Sequence, residues 1–231
     1  MLLGAAEFLQ KERNFDGIVR LIFQPAEENG LNGAKKMLDE GLRQRFPMDE
    51  VYAIHNWPDL PVGSVGVLAG PVLASGSAFD ITLTGQGAHG STPQDGTPLV
   101  AALAHVIFAV EGYLANRRDP RDRIVATLPV LEGSSARTIL PEKVCAAGSM
   151  RCLDQAAQDA FFRDVPPLIQ AIAQGFGAKA SVILQEVVPI TTNAPAQAQL
   201  VQNAALELGL TLETEETGLR PIMGSEDFSF T

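Results

Sequence analysis

Two adjacent carboxylates, Glu27 and Glu28, sit in the stretch IFQPAEENG, straight after a short apolar run and a proline. Like charges side by side repel, so the pair calls for a reason. Adjacent glutamates at a helix start can complement the helix dipole or simply face solvent. In an extended turn, by contrast, consecutive side chains diverge, so one carboxylate can hold a metal ion while the other takes the proton of metal-bound water. His55, in EVYAIHN, offers an imidazole nitrogen as a further ligand. Three other polar side chains stand out. His89 is a lone histidine in the Gly-rich GQGAHGSTP, where a solvated loop imidazole needs no role. Arg151 alternates with Val144, Ala146, Met150 and Cys152, which puts it on the opposite strand face, among the small residues Cys145, Ala147 and Ser149. His105 lies inside an apolar helical run with no partner motif and reads as structural.

The elements that would position these residues follow from periodicity. GIVRLIFQ (17–24) reads as a buried strand, LNGAKKMLDEGLRQRF (31–46) as a helix and EVYAIHN (50–56) as a second strand. Strand, helix, strand implies a right-handed crossover and parallel pairing, with sites outside the carboxyl ends of the strands. Glu27, Glu28 and His55 fall at those ends. Residues 1–11 form a helix with no capping residue before it. After the Gly-, Pro- and Ser-rich GSVGVLAGPVLASGS the pattern changes. Strand 79–85, helix 98–118, strands 123–133 and 143–153, helix 154–178 opened by a capping Asp154, and strand 179–187 give βαββαβ, the order of a ferredoxin-like α+β layer. A helix (195–209), a short strand (210–215) and Ser225 as a helix N-cap complete the chain. The expected organisation is therefore a first domain in two parts, 1–75 and 189–231, with a second domain, 76–188, inserted into it.

Composition narrows the function classes. In 231 residues, 17 Lys and Arg stand against 27 Asp and Glu, a net charge of -10. Such a balance repels nucleic acid and anionic membranes. The apolar stretch 98–110 is too short to span a bilayer and contains His105. The N-terminus lacks the basic region and cleavage site of a secretion signal. Cys145 and Cys152 fall on opposite faces of one strand and cannot bridge each other, which suits a reducing compartment. These features point to a cytoplasmic protein.

The segments IFQPAEENGLNGAKKMLDEGL, AIHNWPDLPVG, FDITLTGQGAHGSTP and MGSEDFSF, in this order, resemble the peptidase M20 family, in its hippurate hydrolase and indoleacetyl-amino-acid hydrolase branch. The resemblance implies an α/β catalytic domain with a mainly parallel sheet, interrupted by a ferredoxin-like lid that dimerises. It implies two divalent metal ions per intact subunit, zinc, manganese, cobalt or nickel, and hydrolysis of an N-acyl or N-aroyl amino acid by metal-activated water. By the same resemblance Glu27 is the general base, and Glu28 and His55 are metal ligands. His89 reaches the partner subunit's site in a homodimer and stabilises the oxyanion. Arg151 clamps the substrate carboxylate, and Thr138 and Gly224 contact substrate, Thr138 standing where the family usually has Asn.

The family's Cys-Gly-His-Asp-Gly-His segment would precede Met1, and its last histidine ligand would follow EDFSF. Glu28 and His55 alone do not complete a two-metal site, since a stable zinc site takes about three or more protein ligands. The sequence therefore predicts a fragment of a longer amidohydrolase, inactive by itself. The alternatives are a non-catalytic dimerisation or binding module and an N-acetyl-amino-acid deacetylase of biosynthesis.

Overall fold

The computed structural model describes residues 1–28, 33–134 and 136–231. Its contacts divide the chain into two units, Met1–Val51 with Thr231, and Tyr52–Phe230.

The first unit holds helices α1 (Leu2–Lys11), α2 (Gly33–Asp39) and α3 (Leu42–Arg45). As the sequence predicts, no side chain caps the start of α1. The single helix expected over 31–46 is broken in two, because Gly41 adopts a left-handed φ of 92° that a continuing helix cannot accommodate. Residues 31 and 32 of that expected helix lie outside the described residues. Lys11–Glu7 and Lys35–Asp39 ion pairs, each 2.6 Å and one helical turn apart, lie on the exposed faces of α1 and α2.

The second unit contains β1 (Ser64–Gly66), β2 (Gly70–Leu73), β3 (Ser75–Thr84), β4 (Ala88–His89), α4 (Leu99–Asn116), β5 (Ile124–Glu132), β6 (Ile139–Leu140), β7 (Lys143–Cys152), α5 (Gln155–Gly175), β8 (Lys179–Val188), β9 (Thr191–Asn193), α6 (Pro195–Glu207) and β10 (Thr211–Glu213). Four long strands form a sheet in the order β5-β7-β3-β8, antiparallel throughout. Period-2 patterning explains its two faces. Along β3, Phe79, Ile81 and Leu83 are buried, and along β7, Val144, Ala146, Met150 and Cys152 are buried. The helices supply the other half of this core at helical spacing, through Leu99, Ala102, Leu103, Val106, Val110 and Tyr113 of α4 and Phe161, Val165, Ile169 and Ala173 of α5. At its centre Phe161 meets Phe79 and Tyr113 edge to face, with ring centroids 5.6 and 5.9 Å apart. Asp154 caps α5 by accepting the Ala157 N–H at 2.9 Å. By length and composition α4 is apolar enough to cross a membrane. The face it buries in this core supplies part of that hydropathy, and the exposed Val100 and Phe108 supply more.

Gly148 on β7 permits an irregularity in the sheet. A Cβ at that position would lie 1.7 Å from the Thr127 carbonyl oxygen. The β5–β7 register shifts between Thr127 and Val130, around Leu128 and Pro129. Cys145 and Cys152 are both free thiols on opposite faces, Cys145 half-buried and Cys152 buried.

Two expected strands differ in the structure. Residues 17–24 and 50–56 carry no regular ladder. Their apolar residues favour an extended path, but a ladder also requires a neighbouring strand in register, which local sequence does not encode. Parallel pairing occurs instead where it was not expected, between β1 and β10, Ser64 facing Thr211, and at a bridge from Leu73 to Ile222. Among the described residues the largest sheet is antiparallel and lies within Ser75–Val188, outside the segments expected to form the parallel sheet.

Candidate functional site

In the first unit the carboxylate pair occupies a turn under backbone strain. Ala26, immediately before Glu27, has a φ of 57°. A left-handed conformation costs an L-residue such as alanine about 1–2 kcal/mol, and such strain persists where the surroundings impose it. One such imposition is visible. A Cβ on the buried Gly33, at the start of α2, would lie 1.6 Å from the Pro25 carbonyl oxygen, so helix and turn approach more closely than any other residue type permits. Glu27 is half-buried and Glu28 exposed, so the two carboxylates do face different surroundings.

The other candidates lie in the second unit. His55 is exposed, and its Nδ1 lies 2.8 Å from the Asn56 carbonyl oxygen. A carbonyl only accepts, so Nδ1 carries a proton, and in the neutral ring Nε2 presents the lone pair with which an imidazole binds a cation. The Trp57 ring stands 6.0 Å away.

His89 and Thr138 are neighbours through the backbone. β4 pairs with β6, His89 facing Ile139, and the Gly90 N–H donates to the Thr138 oxygen at 2.7 Å. On the far side the Thr92 N–H donates to the His89 oxygen at 2.9 Å. The imidazole itself is exposed, with Nδ1 lying 2.7 Å from Ser91 Oγ and 3.2 Å from Ser91 N.

Arg151 is half-buried on the sheet face opposite the core, as alternation along β7 predicts. Its Nη1 donates to Ser225 Oγ. Gly76, across the ladder from Arg151, leaves room for this contact, because a Cβ there would lie 3.2 Å from Ser225 Oγ. Gly224 is anchored alongside, its oxygen accepting the Ala74 N–H at 2.8 Å. On the β3 side the face next to Arg151 is built of small residues, Gly76 opposite it and Ala78 opposite Ser149, whereas on the β5 side Val125 lies across from it. Ser225 is therefore not the helix N-cap expected of it. The 3₁₀ turn Asp227–Phe230 follows Glu226, whose Oε1 accepts the Phe228 N–H at 3.4 Å.

The structure thus brings Arg151 together with Gly224, and His89 with Thr138. The His55 bond to Asn56 is local, and Glu27 and Glu28 belong to the other unit. Of two contacting side chains, Ser91 has no role in the sequence reading and Ser225 figures there only as a helix N-cap. The His-x-Ser spacing was available as a local signal for Ser91, whereas nothing near Ser225 announces a partner 74 residues away. Chemically, these residues supply a carboxylate pair, two accessible imidazoles and a guanidinium beside open, small-residue surface.

Over residues 1–231 the chain matches the profile of peptidase family M20/M25/M40. Thermostable carboxypeptidase 2 of Saccharolobus solfataricus is 32% identical to it, over 99% of this chain and 57% of its own. Hippurate hydrolase of Campylobacter jejuni is 31% identical, over 99% of this chain and 59% of its own. Among solved structures, a dinuclear metal-binding peptidase from the M20 family of Bacillus subtilis superposes with a TM-score of 0.78 at 27% identity, covering 99% of this chain and 57% of that one. The chain spans somewhat more than half the length of these relatives.

Proposed function

The chain belongs to peptidase family M20/M25/M40, and on that premise we propose that it forms part of a metal-dependent amidohydrolase that cleaves the amide bond of N-acyl or N-aroyl amino acids. The observation that carries this reading is Arg151. Its guanidinium is held by a neutral hydroxyl, makes no ion pair among the described residues, and borders a face of small side chains. A planar fork with its charge uncompensated suits a substrate carboxylate, which it can bind through two parallel hydrogen bonds. The similarity to hippurate hydrolase supports the same substrate class.

Glu28 and His55 each offer a donor suited to a divalent cation, and by themselves do not complete a two-metal site. Glu28 exposes a carboxylate, and His55 presents the Nε2 lone pair because Nδ1–H is spent on Asn56. Oxygen and nitrogen donors suit zinc, manganese, cobalt or nickel, and the likeness to a dinuclear relative supports two ions per intact subunit. When bound, such ions supply Lewis acidity to the amide carbonyl and acidify water. Glu27 accepts the proton of the attacking water and delivers it to the leaving nitrogen. His89 donates a hydrogen bond to the oxygen on which charge develops, in the site of the partner subunit. Thr138 and Gly224 line the substrate's path beside His89 and Arg151.

In this reading residues 76–188 form a ferredoxin-like lid, and 1–75 and 189–231 are parts of the catalytic domain. The lid makes the homodimer, an assignment supported by the outer face of α4, where Val100 and Phe108 are 60% and 71% exposed. Two free cysteines support a cytoplasmic setting.

Metal titration alongside hydrolysis of N-benzoyl amino acids tests the assignment. In an intact version of the protein, Glu27→Gln is expected to abolish turnover and keep metal affinity, whereas Glu28→Ala loses metal. Equal metal loss in both variants overturns these roles. An intact wild-type protein that takes up no divalent ion overturns the hydrolase reading in favour of a non-catalytic dimerisation module.

A further inference from the structure

Ser91 engages His89 through two groups. Its backbone N–H approaches Nδ1 at 3.2 Å, and its Oγ approaches the same nitrogen at 2.7 Å. The two contacts are unequal in what they allow. A hydroxyl can donate or accept, but a backbone N–H can only donate. Were Nδ1 to carry the ring proton, the Ser91 N–H would point at a hydrogen and lose its acceptor. Both contacts are satisfied together only when Nδ1 is the acceptor and the proton sits on Nε2. Free imidazole has no such constraint and distributes its proton between the two nitrogens.

The backbone around the ring is held as firmly. β4–β6 pairing fixes His89 opposite Ile139, Gly90 N–H is bound to Thr138, and the His89 oxygen accepts from Thr92 N at 2.9 Å and from Thr92 Oγ1 at 3.4 Å. With the backbone clamped and Nδ1 engaged, the remaining freedom of the exposed ring is small, and its outward atom is an N–H donor.

We propose that Ser91 is a positioning residue that locks His89 in the Nε2–H tautomer and in a single ring orientation, so that the imidazole meets substrate oxygen already as a donor. This rests on the reading of His89 as the oxyanion donor. A donor oriented before the reaction costs no reorganisation when negative charge develops, which is where the benefit to rate arises.

The test uses the full chain and its three histidines, His55, His89 and His105. Long-range proton–nitrogen correlation spectra are recorded at about pH 8, above the ordinary imidazole pKa of about 6.5, with His89→Ala providing the assignment. Wild-type His89 is expected as the Nε2–H tautomer alone, Ser91→Ala, which keeps the backbone N–H, as the same tautomer in a less ordered ring, Ser91→Thr as wild type, and Ser91→Pro, which removes that N–H, as a mixture. In metal-loaded protein, Ser91→Ala is expected to lower kcat about tenfold with KM within about twofold, and Ser91→Thr to recover most of the loss. A single unchanged tautomer in Ser91→Pro, or a wild-type ring protonated on Nδ1, overturns the proposal whether or not the chain turns over substrate. Unchanged turnover in His89→Ala strikes the oxyanion role instead and leaves the tautomer result to decide Ser91.

Discussion

Arg151 and Ser225, 74 residues apart in the chain, are joined by a hydrogen bond from Nη1 to Oγ. The acceptor is neutral, so it orients the guanidinium without cancelling its charge. Lysine would keep the charge and lose the planar fork. Arg151→Lys is therefore expected to raise KM for N-acyl amino acids about tenfold or more, with a smaller change in kcat. Steady-state kinetics on a substrate and its carboxamide analogue provide the check. An equal effect on both would show that Arg151 does not read the carboxylate.

Gly148 supports a different prediction. The Thr127 carbonyl occupies the space a side chain would need, 1.7 Å from an ideal Cβ, and both partners are backbone. Neither can step aside without disturbing the β5–β7 ladder. Gly148→Ala is expected to destabilise the second unit by roughly 2 kcal/mol or more. Denaturant unfolding followed by circular dichroism measures this, and an unchanged midpoint would contradict the packing described.

Phe161 is fully buried between Phe79 and Tyr113. Truncation removes two edge-to-face contacts and opens a cavity between α5 and the sheet. Phe161→Ala is expected to cost about 3–5 kcal/mol, and Phe161→Leu distinctly less. Equal losses for the two variants would argue that the site collapses around the deletion.

Alkaline pH should weaken the fold. Burial raises the Cys152 thiol above its ordinary 9.0 and the Tyr113 phenol above 10.0, the latter helped by its hydrogen bond to Asp164. A folded state that keeps these protons competes with an unfolded chain that has already released them. The unfolded chain then binds fewer protons, so stability is full below about pH 9 and falls as pH rises beyond it. Unfolding midpoints compared at about pH 7.5 and about pH 10 test the direction. Cys152→Ala should flatten the early part of the decline, and a midpoint that rises with pH would reverse the sign.

The antiparallel sheet and its two helices were legible because each element carries its own local signal. β3 alternates around Phe79, Ile81 and Leu83, and α5 begins at a capping aspartate. Residues 17–24 and 50–56 carry an apolar signal of the same strength, yet form no regular ladder. A ladder belongs to two strands, and only one of them can be read at a time. The sites divide in the same way. The strained turn at Glu27 was marked by its proline and paired carboxylates, but the left-handed Ala26 and the close approach of Gly33 are tertiary facts. Arg151 could be assigned to a face by counting, whereas Ser225, which faces it, could not.

The Leu128–Pro129 irregularity in β5 has a consequence for behaviour in concentrated solution. β5 is an edge strand, and Val125, Val130 and Leu131 on it are 46%, 46% and 60% exposed. A flat apolar edge of that length would be a template for endless recruitment of further chains. Pro129 has no N–H to offer a newcomer, and the register shift between Thr127 and Val130 divides the edge into two short runs. The feature that Gly148 makes room for therefore also interrupts this edge as a template for strand pairing.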